Sequence, residues 1–417
     1  MTMRVAYLTA LFPVRSDIPF LNQIVGLIER GHQVDVYADG PQPGGPFHPD
    51  VGRLGLQSLT RYPLRWPESR LQRWRAAART VLAHGGAERR TLLRALDPAR
   101  FWRRAWTLDQ LRRTERFLPV RPYDICYCAF GMDAPHALRL RRLGVLGGEL
   151  VVAFRGADTT KYVARRGPRV YARTFRHARL LLPVCDFLGR RLVELGAPPD
   201  RVVVHRTGID PRRWPYRERR PPGNGRLRLV TVGRLVEKKG IEYVLRAMRM
   251  LRDRGVDVEY RVLGDGPRHG ALAALVAELG LGDRVELRGR GSQAEVVEAL
   301  QGSDLLVAAS VTAADGDGEG IPNVLKEAMA SGLPVVGTRH AGIPELVEDG
   351  VSGLLVPERD EKALANALER LAGEPARWAA MGRAGRRTIE AHYDIDSLND
   401  RLAGLLEGLI RPEARSR

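Results

Sequence analysis

Short runs of apolar, β-branched residues alternate along the chain with longer stretches of helical period, and the alternation occurs twice. RVAYLTAL (4–11), QVDVYA (33–38), DICYCAF (124–130) and LVVAFRG (150–156), followed by LLLPV and RVVVHR, read as strands of a parallel sheet buried on both faces. RERRPPGNGRLR (217–228) is rich in Pro, Gly and charge and reads as an interdomain linker. RLVTVG, a helix from Ile241, VEYRVLG, a helix through ALAALVAELG, RVELRG, a helix through EVVEAL and DLLVAAS then repeat the alternation. The expected fold is α/β, with two Rossmann-like domains facing across a cleft: an N-terminal one over 1–208, a C-terminal one over 209–395, and a terminal helix over 396–417 returning to the first. Ligands of such sheets bind beyond the carboxyl ends of the strands.

Those ends carry the candidate chemistry. Gly233 closes one strand, with Arg234 in the loop and Lys239 just before the next helix, and Gly264 and Asp265 close the next strand. A guanidinium takes a phosphate bidentately and an ammonium acts as a compact point charge, so the pair could neutralise a pyrophosphate. Further on, GEGIPNVLKEAMASGLPVVGT puts Pro322 in the first turn of a short helix and Gly332 at its end, with Val324, Leu325, Ala328 and Met329 inward. Glu319 then lies in the loop ahead of the helix N-terminus and Glu327 over a turn along it. Two carboxylates at different depths could grip two polyol parts of one long ligand, or be an exposed loop and a solvated helix face.

Composition narrows the setting. The 417 residues suit two domains, a hydrophobic content of 44% supplies their cores, and no apolar run approaches the ~20 residues of a membrane span. MTMRVAYLTALF reads as a first buried strand leading into PVRSDIPF, without the small-residue cleavage site of a signal peptide, and implies a cytoplasmic protein. Cys126, Cys128 and Cys185 fit neither a disulfide framework nor a zinc pattern. A net charge of +18 points to an anionic partner: nucleic acid, a membrane surface or phosphorylated substrates. Residues 53–121 concentrate it, with 17 arginines against five acids. Within them Leu71, Trp74, Ala78, Val81 and Leu82 share one helical face, and Phe101, Trp102, Ala105 and Leu108 another. Such helices either lie in an anionic membrane interface or pack on the domain core. No nucleic-acid reader module accompanies the charge.

In order, GRLVEKKG, GDGP, EGIPNVLKE and GIPELVEDGVSGLLV resemble the motifs of the retaining glycosyltransferases of GT-B fold, family 4, and GDGEGIPNVLKEAMASGLPVVGTRHAGIPELV is most similar to its exopolysaccharide, colanic-acid-type branch. The resemblance implies that Arg234 and Lys239 hold the diphosphate of a nucleotide sugar, UDP by family habit, that Glu327 holds the ribose, and that Glu319 with the N–H groups of Gly320 and Ile321 holds the donor sugar. It also implies transfer to a glycan or polyprenyl-diphosphate-linked acceptor at the inner membrane face, with retention and without a divalent metal. Asp315 and Asp317 form an Asp-x-Asp string, read here as loop acids. One departure stands out: in FRGAD, Arg155 occupies a position where the family often has histidine, followed by Gly156 and Asp158. Arg155 then either recognises an anionic group, a uronate on the donor or the acceptor's diphosphate, or pairs structurally with Asp158. A nucleotide-sugar epimerase of the same fold and a nucleic-acid-binding protein are the competing readings.

Overall fold

The computed structural model describes residues 2–14, 19–43, 47–221 and 225–410. They form two six-stranded sheets in which every pairing is parallel. The first has order β3-β2-β1-β4-β5-β6, from β1 (Arg4–Leu11), β2 (Gln33–Gly40), β3 (Thr60–Arg61), β4 (Ile125–Cys128), β5 (Glu149–Phe154) and β6 (Leu180–Pro183). The second has order β12-β11-β10-β7-β8-β9, from β7 (Leu227–Val232), β8 (Val258–Leu263), β9 (Val285–Leu287), β10 (Leu305–Ala308), β11 (Val335–Thr338) and β12 (Gly353–Val356). Both sheets are the central layer between helices, so β4 and β10 are unbroken apolar runs and wholly buried, while β1 and β5 are buried through their middles and leave that state only at their ends.

Three expectations are corrected. RVVVHR does not become a strand of its own: Val203 and His205 donate N–H groups to Leu181 and Pro183 carbonyls at 2.9 Å each, but Pro183 has no N–H to return, so one bridge at Val202 is all that forms. The 217–228 stretch is not where the domains part. Arg219 is buried, and its guanidinium donates to the carbonyls of Gln301 (2.8 Å), Ser303 (3.3 Å) and Ser331 (3.3 Å), which lays the segment on the C-terminal domain; residues 222–224 lie outside the described residues. Pro322 precedes the helix Asn323–Ala330 as its N-cap rather than sitting in its first turn, and Val324 is half-buried.

The chain crosses between domains at Thr207–Ile209 and returns at Tyr393–Ile395. The two crossings are tied by Ile209 N–H to the Tyr393 carbonyl and Ile395 N–H to the Ile209 carbonyl, both 3.0 Å. Lys326, fully buried, donates to the Thr207 carbonyl at 2.8 Å and to its hydroxyl at 3.0 Å, and its ammonium lies 5.8 Å from the centre of the Tyr393 ring. The helix Ile395–Ile410 then packs on Pro19–Glu29: Leu402 and Leu406 enter the first domain's core, and a Cβ on Gly26 would lie 2.2 Å from Asn399 Nδ2. Residues 411–417 lie outside the described residues.

Within 53–121, the residues that follow β3 fold into helices, from Arg70–Ala83 to Asp109–Glu115, inserted between β3 and β4. In Arg70–Ala83, Ala77 and Val81 face the core, while Leu71 (60% exposed), Trp74 (45%) and Leu82 (68%) face away. The expected apolar face is therefore mostly on the outside, because the small side of the helix is the one that approaches the core closely. The second expected face divides: Phe101, Ala105 and Leu108 are buried in the core, but Trp102 is 76% exposed.

Candidate active site

The site begins where β7 and β8 end. Gly233 N–H donates to the Leu263 carbonyl (2.9 Å), and Gly264 approaches so closely that a Cβ there would stand 1.7 Å from the Gly233 carbonyl oxygen. That absence of side chains leaves room for Lys239, whose Cε would be 3.2 Å from a Cβ on Gly233. The lysine is aimed by the turn Glu237–Lys239 and by Gly240, at φ +59°, where a Cβ would collide with the Ala309 carbonyl. Arg234, next to Gly233, is exposed, and its guanidinium forms no ion pair among the described residues. Asp265 turns its carboxylate onto its own loop, accepting from Gly266 N–H at 2.7 Å.

Lys239 meets Glu319 across this joint. Nζ lies 3.0 Å from Glu319 Oε1, an ion pair without the alignment of a hydrogen bond, and Lys238 Nζ lies 3.8 Å away while pairing with Asp317 at 3.1 Å. Burial pushes the Glu319 carboxyl up, but the two ammonium groups prevail and hold it at about 2. Its backbone is fixed as well: the Glu319 N–H donates to His340 Nε2 (3.0 Å), and His340 Nδ1 lies 2.7 Å from Glu358 Oε1. That arrangement sets Nδ1 as the protonated nitrogen. Glu358 in turn accepts from Thr312 N–H at 2.8 Å, closing the loop onto itself. The sequence reading missed His340 and Glu358, although His340 stands two residues before GIPELV.

The N-terminal domain supplies the opposite wall. Gly156, at φ +137°, has room for no side chain larger than hydrogen without pressing on Gly320 N at 3.1 Å, and a Cβ on Gly320 would be 2.8 Å from the Arg155 carbonyl. Thr160 accepts from Gly318 N–H (3.2 Å), and Lys161 pairs with Asp315 (2.5 Å). Glu345 of GIPELV reaches across too, accepting the N–H groups of Asp186 and Phe187 at 2.7 Å each, the first two of the helix Asp186–Glu194. Ile321 packs on Val184, Cys185 and Leu188.

Arg155 and Asp158 do not pair through the guanidinium. Asp158, buried, accepts backbone N–H groups from Arg155 (3.0 Å), Gly156 (2.9 Å) and Gly131 (3.1 Å), so it shapes the loop. The Arg155 side chain donates to the Ala129 carbonyl (2.9 Å) and Gln23 Oε1 (2.6 Å) and lies 5.7 Å from the centre of the Phe130 ring; Nη1 is buried without a hydrogen-bond partner. The structure thus brings Gly233, Gly264, Lys239, Glu319, Gly320 and the Arg155–Gly156 backbone together. Glu327 is half-buried, farther along the helix Asn323–Ala330. Asp315 and Asp317 are each engaged by a lysine, and no group of three or more His, Cys, Asp or Glu side chains among the described residues is placed to hold a metal ion.

Residues 226–374 match the family of group 1 glycosyl transferases. A protein named as a colanic acid biosynthesis glycosyltransferase, WcaL of Salmonella typhimurium, is 35% identical over 97% of this chain and 100% of its own length. The amylovoran biosynthesis glycosyltransferase AmsK of Erwinia amylovora is 33% identical over 98% and 100%. The crystal structure of Anabaena Alr3699/HepE in complex with UDP-glucose shares the fold, with a TM-score of 0.68 and 17% identity over 97% of this chain and 100% of that one. Two parallel-sheet domains meeting at a glycine-lined joint, in a chain this similar to its relatives from end to end, place it among the group 1 glycosyltransferases of GT-B fold, in the exopolysaccharide branch of the colanic acid and amylovoran enzymes.

Proposed function

We propose that the chain moves a sugar from a UDP-sugar to a glycan or lipid-linked acceptor, with retention of configuration and without a divalent metal. The observation that carries this reading is the Lys239–Glu319 pair, 3.0 Å apart over the bare Gly233–Gly264 joint and closed from above by the Gly156 loop. Lys239 and Arg234 hold the diphosphate, Glu327 the ribose, and Glu319 with the Gly320 and Ile321 N–H groups the sugar. When the bond from the anomeric carbon to the diphosphate oxygen breaks, the charge left on that oxygen grows beside a fixed ammonium. The acceptor oxygen bonds to the same carbon, and its proton passes to the departing phosphate. Glu319, ionised and held by two lysines, positions the sugar rather than attacking it. The engagement of Asp315 and Asp317 by Lys161 and Lys238 supports a metal-free site, and the UDP-glucose bound by the Anabaena neighbour supports the choice of base. Titration calorimetry with UDP and with GDP in EDTA is expected to give binding of UDP alone, weakened at least ~10-fold by Glu327→Ala, whose carboxylate would otherwise take a charge-assisted hydrogen bond. Binding that returns on adding a divalent cation would overturn the metal-free site, and a product of inverted configuration by proton NMR would overturn retention.

Arg155 is assigned an anionic group, either a uronate on the donor or the acceptor's diphosphate. Its charge forms no ion pair among the described residues and is held by neutral partners, Gln23 and Ala129, at the loop that touches Gly320. Arg155→Ala is expected to cost ~10-fold or more in kcat/KM for the anionic substrate and little for its neutral counterpart, since one charge-assisted bond is lost. Unchanged preference for both donor and acceptor would sink the assignment.

A further inference from the structure

The helices inserted between β3 and β4 present an outer surface that the reaction does not use. Their inward residues, among them Val81, Leu92, Ala95, Phe101 and Ala105, join one core. Their outward residues include Leu71 (60% exposed), Leu82 (68%), Leu93 (52%), Trp74 (45%), Trp102 (76%) and Trp106 (66%). These are large apolar side chains, and they sit among cations: residues 65–106 hold eleven arginines and three acids. Arg70, Arg75, Arg79, Arg90, Arg94 and Arg103 are exposed and pair with no carboxylate among the described residues.

The arrangement is specific in two places. On the helix Arg70–Ala83, Leu71, Trp74, Ala78 and Leu82 recur at intervals of three and four, an outward stripe with Arg75 and Arg79 beside it. Arg65, Arg75 and Arg79 also line a shallow groove of ≈ 530 Å3 with Pro67, Gln72 and Ala76, without an acid among the lining residues. Farther along, Trp102 has φ +47°, a left-handed conformation that a bulky residue rarely adopts, and this turn between two short helices buries Phe101 while directing Trp102 outward.

We propose that this surface docks the enzyme on a lipid bilayer rich in anionic headgroups, with Trp74, Trp102, Trp106 and the leucines at the acyl boundary and the Arg65, Arg75, Arg79 groove taking a lipid phosphate. Cations beside exposed tryptophans select an anionic partner that also offers a greasy, wet boundary, which is the headgroup layer. The aliphatic leucines have no counterpart in a nucleic acid, whose bases stack on aromatic rings. No helix among the described residues is long and apolar enough to cross a membrane, so the contact is peripheral. The inference deepens the reading of a lipid-linked acceptor, and it is tested without turnover.

The experiment is co-sedimentation of the full chain with phosphatidylcholine vesicles, with and without phosphatidylglycerol, together with quenching of tryptophan fluorescence by brominated acyl chains. Binding is expected only with phosphatidylglycerol, with quenching of the exposed tryptophans and weakening at high salt. Trp102→Ser with Trp106→Ser, and separately Arg75→Glu with Arg79→Glu, are each expected to lower partitioning about tenfold or more. Both variants should keep the wild-type melting profile and nucleotide titration, so a failed donor site would be seen separately. Equal binding to both vesicle types, or partitioning that neither double variant changes, overturns the proposal. So does a concentration-dependent dimer that both variants abolish in the absence of lipid binding, or single-stranded DNA displacing the protein from vesicles through this surface.

Discussion

Replacing Lys239 by methionine is expected to lower kcat about 10²–10³-fold while leaving the fold intact, because in the proposed reaction it removes a fixed cation from beside the leaving diphosphate, where charge gathers. Methionine keeps the apolar stem that crosses Gly233, so packing at the joint survives and the change is confined to charge. A second effect is built into the site. Glu319 stays ionised although burial disfavours its charge, because Lys239 and then Lys238 hold it at about 2 against an ordinary 4.5. Without Lys239 the nearer cation is gone, burial dominates, and the carboxyl moves up. The sign follows from linkage: a depressed carboxyl contributes stability that is complete above its unfolded value and is lost as pH falls from about 4.5 toward about 2. The native enzyme should therefore keep Glu319 charged through the whole neutral and mildly acidic range. The variant should add an acid limb to its kcat profile at higher pH and lose less stability between pH 4.5 and 2. Rates against pH and melting curves against pH check both. A variant within about threefold of the native kcat with an unmoved acid limb would remove Lys239 from the leaving-group role.

How far the sequence could carry the reader depends on the range over which each feature is decided. Strands such as Ile125–Cys128 and Leu305–Ala308 are legible because both faces are buried, so every position is apolar and no partner has to be known. The order of glycines and charges around Lys239 and Glu319 is legible as a pattern, yet their 3.0 Å separation joins residues 80 positions apart and exists only where the loops after β7 and β10 of one sheet come together. His340 was invisible for a different reason. A histidine gains meaning only from what its two nitrogens meet, and here those are the Glu319 amide and the Glu358 carboxylate, brought by separate loops. Nothing in the sequence pattern singles out Glu345 or Lys326 either. One caps a helix of the other domain and the other is buried against the Thr207 crossing, and neither fact exists until the domains meet. In the arginine-rich helices periodicity left a choice open. It put Leu71, Trp74, Ala78 and Leu82 on one stripe together with Val81, which the structure turns inward, and it could not say whether that stripe faces a core or an outside partner.

Gly264→Ala is expected to destabilise the C-terminal domain by about 3 kcal/mol or more and to abolish nucleotide binding. The added methyl would stand 1.7 Å from the Gly233 carbonyl oxygen, and the obstacle is backbone, not the far end of a flexible side chain. One of the two strand ends has to move. Gly233 is held by its N–H bond to Leu263 at 2.9 Å, and Gly264 by its N–H bond to the Gly289 carbonyl at 2.7 Å, so moving either breaks a backbone bond that ties the strand ends together. Any such shift also carries Lys239, whose stem rests on Gly233, away from Glu319. Stability and donor affinity should therefore fall together, with melting lowered by roughly 2–4 °C per kcal/mol for a domain of this size. Gly270→Ala is the matched control, with nothing within 4 Å of the new methyl and a position in the first turn of the helix His269–Glu278. It is expected to be neutral or to stabilise by up to about 1 kcal/mol. If Gly264→Ala melted and bound UDP like its control, the strand ends would have room to spare, and the close approach of β7 and β8 would not be what sets the position of Lys239.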